Sequence, residues 1–275
     1  MRFAFLPGLF FSVKGVRRLI RRTLSTLFPP HVRESGEPPL GPRADRYEAW
    51  SGVLNFSRRP RQGALGDCWL MAPMLAIHSV DPQFFANAIK VQPGSPKALA
   101  RVFVEGAPAW RSVNMRFPVN ERGHFAYATE EGGGPGWPGI LEKACAAEFS
   151  GSYAWIARGF AKWGFPALTG VRASTRLTLP SPGEVEDLLA QRRPVVASTH
   201  MFSPALSRGR QSGAIPPMHV MAVAGAKPDT GEIVLRNPWR PGAWVTLNRR
   251  EFRRAFLSVD VLDQPLGRSR EGSWG

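Results

Sequence analysis

Gln62-Gly63-Ala64-Leu65-Gly66-Asp67-Cys68-Trp69-Leu70, continued by Met71 to His78, is the stretch from which the rest of the sequence can be read. Residues 66–78 have the pattern of a helix opened by Asp67, with Leu70, Met74, Leu75 and Ile77 on its inward face. Cys68 then falls on the first turn, where unpaired N–H groups and the positive end of the helix dipole favour a thiolate. A lone cysteine is more often a small buried hydrophobe, so the functional reading depends on partners. Acyl transfer by a cysteine needs an imidazole, a group to orient it, and donors for the oxyanion. Gln62, six residues before Cys68, is close enough to donate its side-chain amide beside the Cys68 backbone N–H. His219 lies 151 residues downstream at the start of an apolar run (HVMAVAGA), and Asn237 ends the next run in LRNPW. A His and an Asn at the ends of adjacent strands meet side by side, with Trp239 placed to shield them from water.

The other reactive residues fit less well. His200 ends a predicted strand and is the one rival to His219, but no Asn-x-Trp follows it at the right place. His78 ends an apolar helix, His31 lies in a linker and His124 in a turn. Cys145 sits among apolar neighbours and reads as an inert core residue. There is no H-E-x-x-H, no G-x-S-x-G, and no Lys-Ser/Thr after the Gly132–Gly136 glycines, so metalloprotease, serine-hydrolase and P-loop readings have no support. The two cysteines form no CxxC, which leaves out a disulfide framework and a Cys-rich zinc site. No cofactor or metal is indicated.

Outward from the motif, the 275 residues are 43% hydrophobic, a globular composition, and no run of eighteen apolar residues suggests a transmembrane helix. The net charge of +15 is uneven. Residues 1–33 hold seven cations and no acid, leaving 29 cations against 21 anions in the rest. Only six of the 36 cations are Lys, and no finger, RNP-like or helix-turn-helix signature accompanies them, which disfavours nucleic acid as a partner. In the leader, Val16–Arg22 would set cations and apolar residues on opposite faces of a helix. The alternatives are an interfacial helix on an anionic membrane, a disordered basic leader, or an organelle transit peptide; most cations follow the apolar run, unlike a cleaved secretory signal. Residues 30–45 are a Pro/Gly-rich linker. The body shows strands near 100–104 and 111–117, helices over 140–149 and 182–191, and strands at 195–198, 219–224, 232–236 and 244–247. Arg249–Ala255 forms a last short helix. Helices dominate the first half and strands the second, an α+β pattern.

Gln62, Gly-x-Cys-Trp, a distant His and Asn-x-Trp together form a papain-like spacing. The Gln62–Leu70 motif resembles the nucleophile motif of the calpain family of cysteine proteases. Leu141-Glu142-Lys143-Ala144 with Gly151-Ser152-Tyr153 resembles its second helix, and the His219 and Leu235–Trp239 segments resemble its His and Asn segments. The resemblance covers roughly residues 50–262 and concerns the protease core alone. It implies a papain-like two-lobe α+β fold, with a helical first lobe at 46–170, a β-rich second lobe at 171–265, and the cleft between them. The leader and linker occupy 1–45 and a tail 266–275. It implies Cys68 as nucleophile, His219 as base, Asn237 as its orienter and Gln62 as oxyanion donor, acting on a protein or peptide substrate in the cytoplasm or at a membrane surface. An acyltransferase using the same triad, and an inactive scaffold docked by the basic leader, remain open. Pro73 departs from the family pattern and should kink the nucleophile helix. The carboxylates that hold calcium in calcium-assembled members are replaced by Ser57-Arg58-Arg59-Pro60-Arg61 and Arg240–Trp244, so calcium independence is expected.

Overall fold

The computed structural model describes residues 37–91, 95–157, 159–203 and 215–267. The basic leader and most of the tail lie outside them. The nucleophile helix α1 (Cys68–Val80) is buried from Trp69 to His78 without a break. Its sequence is apolar all round rather than on one stripe, as befits a helix enclosed on every side. Pro73 lies inside it, and the helix continues past it. The lost N–H leaves the Trp69 carbonyl without its helical donor, and a neighbouring helix packs closely over that place. That helix is α4 (Ala161–Thr169), and a Cβ on its Gly164 would lie 2.3 Å from the Trp69 carbonyl oxygen and 2.6 Å from Pro73 Cγ. Gly→Ala within a helix ordinarily stabilises by about 1 kcal/mol. Gly164→Ala should instead destabilise by about 1–3 kcal/mol, because backbone and proline ring cannot yield. Thermal denaturation should show Tm lower by roughly 2–10 °C; an unchanged or raised Tm would show that the helices can separate freely.

Before α1 come β1 (Arg46–Ala49) and β2 (Pro60–Arg61). After it, β3 (Ile89–Val91), β4 (Lys97–Val104) and β5 (Ala107–Asn114) form a three-stranded antiparallel sheet. Along β4, Ala98, Ala100 and Val102 are buried while Lys97 and Leu99 face outward, the period-2 pattern of a half-buried strand. β6 (Arg116–Val119) pairs with β1, and β7 (Thr129–Glu130) pairs with β2. Helix α2 (Gly136–Cys145) is buried along its whole length, Glu142 and Lys143 included, and runs into a π turn at Ala146–Ser150. Lys143 Nζ donates to the carbonyls of Asn114 (3.2 Å) and Arg116 (2.6 Å), fixing α2 across the end of β5. The short α3 (Tyr153–Ile156) leads on to α4. Helix outweighs strand in the first half, as the sequence suggested, but short strands holding Ala, Pro and Arg, which weaken the strand signal, also run through it.

The second half is built on one six-stranded, wholly antiparallel sheet. Its strands are β8 (Ala173–Arg176), β9 (Val195–Thr199), β10 (Val220–Lys227), β11 (Glu232–Asn237), β12 (Arg240–Asn248) and β13 (Phe256–Leu262). They lie in the order β12-β11-β10-β9-β13-β8. Helix α5 (Pro182–Ala190) opens on Ser181 and α6 (Arg249–Ala255) on Asn248, each with the reciprocal capping box that its sequence announces. The sheet is a wall between two cores. Val196, Val220, Ala222 and Leu262 belong to the core around α1. Val195, Ala197, Met221, Val223, Val259 and Val261 belong to the core beneath α5 and α6. Successive side chains leave a strand on opposite faces, so strands covered on both sides read as unbroken apolar runs. Among the described residues no helix is long and apolar enough to cross a membrane.

Candidate active site

The wall positions the site. Helix α1 packs on β9 and β10, so its first residue meets the first residue of β10. Cys68 is half-buried, and its thiol is within hydrogen-bonding reach of the Val220 N–H, one residue after His219. The His219 backbone is held from both sides: its N–H donates to Thr199 Oγ1 at 2.8 Å, and its carbonyl accepts from the Thr199 N–H at 2.8 Å. Across the sheet, the β11–β12 register shifts between Leu235 and Asn237, an irregularity that re-aims the end of β11. Asn237 Oδ1 lies 3.0 Å from His219 Nε2 and also accepts from the Trp239 N–H at 3.0 Å. The Trp239 N–H can only donate, which identifies the facing Asn237 atom as the oxygen. His219 Nε2 must therefore carry the proton, and Nδ1 keeps its lone pair as the basic nitrogen. The half-exposed Trp239 ring covers the imidazole, centroids 4.2 Å apart.

The oxyanion side is assembled by close backbone contacts. Gly63 lies so near residues 126–127 that a Cβ would sit 2.4 Å from the Ala126 carbonyl oxygen and 2.3 Å from that of Tyr127. The Ala64 N–H donates to Ala126 O at 2.8 Å. Gln62 is buried; its backbone N–H donates to Pro238 O at 2.9 Å, joining this loop to the turn that carries Asn237. One N–H of the Gln62 amide is taken by Leu65 O at 2.7 Å, which fixes the plane of the amide and leaves its second N–H to donate elsewhere. Trp69 Nε1 donates to Ile156 O at 2.8 Å, so α3 holds the residue after the nucleophile.

Burial pushes the Cys68 thiol up to about 11, with the Asp67 charge adding to the effect and the N–H groups of Val220 and Trp69 opposing it. Burial also pushes His219 down to about 4, only partly offset by the bond to Asn237. Each group alone is neutral at pH 7. Burial thus opposes the thiolate that the helix N-terminus favours. Asp67 is the N-cap residue of α1, but its side chain makes no capping bond, a further departure from the sequence reading.

The rival residues are occupied elsewhere. His200 Nδ1 accepts from the Phe202 N–H at 2.9 Å and its Nε2 meets the Arg254 carbonyl. His78 Nε2 meets Phe56 O at 2.9 Å, with the ring stacked on Trp137. Cys145 is wholly buried and burial raises its pKa strongly. Sequence reasoning missed Arg236, which is buried beneath the Trp244 ring at 3.6 Å and donates to the Pro241 carbonyl. A cation inside an otherwise apolar strand was the available signal. The sequence reading also passed over Glu131, whose pairing with Arg59 at 2.8 Å parallels Arg58 beside Glu130 at 3.9 Å. Glu130 and Glu131, which face the Arg58-Arg59 stretch, are thus already matched by arginines. Among the described residues no group of three or more His, Cys, Asp or Glu could hold a metal ion.

Residues 57–248 match the sequence model of the calpain family cysteine proteases. Human Calpain-14 is similar at 24% identity over 231 residues, covering 78% of this chain and 32% of that protein. The chain therefore spans about a third of that relative's length. The family match begins before the nucleophile motif and ends with the last residue of β12, and this chain belongs to the calpain family of cysteine proteases.

Proposed function

We propose that this chain is a cysteine endopeptidase that works without calcium, with substrate held in a cleft between lobes at residues 46–170 and 171–265. The observation that carries the reading is the His219–Asn237 bond, which fixes a basic Nδ1 on the residue beside the Val220 N–H that the Cys68 thiol reaches. His219 Nδ1 takes the Sγ–H proton as sulfur attacks the scissile carbonyl carbon. The oxyanion accepts from the Gln62 amide and the Cys68 N–H. His219 returns the proton to the leaving amine, giving an acyl-thioester. Water then attacks the thioester, His219 takes and returns its proton, and the acid product leaves with the thiol restored.

The test is incubation of the full chain with a denatured protein, followed by mass spectrometry of the new termini. Hydrolysis should generate free carboxyl and amino ends. Products in which acyl groups are joined to added amines, without free carboxyl ends, would replace the peptidase reading with acyl transfer. Rates in excess EGTA should equal those in millimolar calcium, since Arg58 and Arg59 pair with Glu130 and Glu131. A tenfold activation by calcium would sink that part of the reading.

A further inference from the structure

Asp67, directly before the nucleophile, is wholly buried, yet its carboxylate does not cap α1. No hydrogen-bond donor reaches either of its oxygens, and the neighbouring acid is Glu142 on α2. Glu142 is buried too, and its two oxygens accept from the Ala128 N–H at 3.1 and 3.2 Å. Two carboxylates in contact away from water cannot both ionise without a cation, and no arginine or lysine charge stabilises either one. At least one of the two must hold a proton. The groups facing the pair are Cys68 from the start of α1, Cys145 from α2, Tyr127 from the segment before β7, and Tyr153 from α3.

We propose that Asp67 and Glu142 share one proton as a positioning pair that fastens the Gln62–Cys68 loop to the Ala126–Ala128 segment and limits the charge behind the nucleophile to one unit. The loop already leans on that segment through Gly63 and Ala64, and the pair ties down its other end at the residue next to the thiol. Burial pushes Asp67 up to about 7, and raises Glu142 well above the carboxylate range with the neighbouring Asp67 charge adding to the rise. A carboxyl group at Glu142 can thus donate to Asp67 at neutral pH. The charge that remains sits beside Cys68 and raises its proton affinity. Neither residue touches substrate; both act through the position and protonation of the thiol. The inference rests on Cys68 being the nucleophile proposed above.

The test uses the full chain and two readouts: kcat and KM on a peptide substrate, and the pH dependence of iodoacetamide alkylation of Cys68 in a Cys145→Ala background. Glu142→Gln keeps a donor toward Asp67 and an acceptor for Ala128, and should retain kcat within about threefold. Glu142→Ala removes the fastening and should lower kcat by about tenfold or more with little change in KM. Asp67→Asn removes the charge beside the thiol and should speed alkylation at pH 7 by roughly three- to tenfold, the alkylation curve moving to lower pH. Equal kcat losses in the Gln and Ala variants, or an Asp67→Asn alkylation curve that overlays the parent, would overturn the proposal. If Glu142→Ala fails to fold, the Asp67→Asn curve decides alone. Alkylation needs no peptide, so a parent chain that alkylates at Cys68 but cleaves nothing would sink the endopeptidase reading and still leave the pair to be judged.

Discussion

Cys68→Ala should remove peptide hydrolysis, lowering kcat on the order of 10⁴-fold or more, because no other group in the site can form the acyl intermediate. The fold should survive. A small, half-buried side chain is exchanged for another small one, a change of about 1 kcal/mol. Cys145→Ala supplies the control: that thiol is enclosed in the core, away from the His219–Asn237 pair. It should cost about 1 kcal/mol of stability through a small cavity and leave turnover intact. The pair of variants is read by initial rates on a peptide substrate and by thermal denaturation. Turnover retained in Cys68→Ala and lost in Cys145→Ala would reverse the assignment of the nucleophile.

Gln62→Ala should lower kcat by about 10²–10³, or about 2.7–4 kcal/mol of transition-state stabilisation, with KM nearly unchanged. The geometry gives this a particular form. Gln62 Nε2 has two protons, and the bond to Leu65 O holds one while orienting the other. Alanine removes the donor and also leaves the Leu65 carbonyl short of a partner, so stability should fall by about 1–3 kcal/mol alongside the rate. Gln62→Glu tests the donor without shortening the side chain. It keeps the side chain's size but puts an acceptor where a donor is needed, and it should be at least as slow as the alanine variant. Glutamate turnover equal to the parent would mean that Gln62 does not face the oxyanion.

Much of the site was legible because its chemistry is written in short, local words. Gly-Asp-Cys-Trp at a helix start and Asn-Pro-Trp at a strand end announce themselves whatever surrounds them, and both capping boxes did the same for α5 and α6. Elements whose identity depends on distant neighbours were not legible. β13 carries Ser258 and Asp260 among its apolar residues, which breaks both the alternation of an edge strand and the run of a central one. In the fold both are buried, and Asp260 accepts from the Thr175 hydroxyl on the far side of β8–β13 pairing. α4 was hidden by Gly164 and Pro166, yet that glycine is what lets the helix lie against Pro73. Asp67 read as a cap because capping is the commonest use of an aspartate there, and only the position of Glu142 shows otherwise.

The order of the six-stranded sheet bears on when, during synthesis, the nucleophile acquires its surroundings. β13 is last in the sequence but lies between β9 and β8, and it supplies Val259 and Val261 to one core and Leu262 to the other. A ribosome delivers the chain from its N-terminus, so Cys68 emerges long before the strand that completes the wall behind it. Until residue 262 has cleared the exit tunnel, β9 has an open edge and the ground beneath His219 is unfinished. The surroundings of His219 are therefore complete only once the last strand of the sheet has been released to fold.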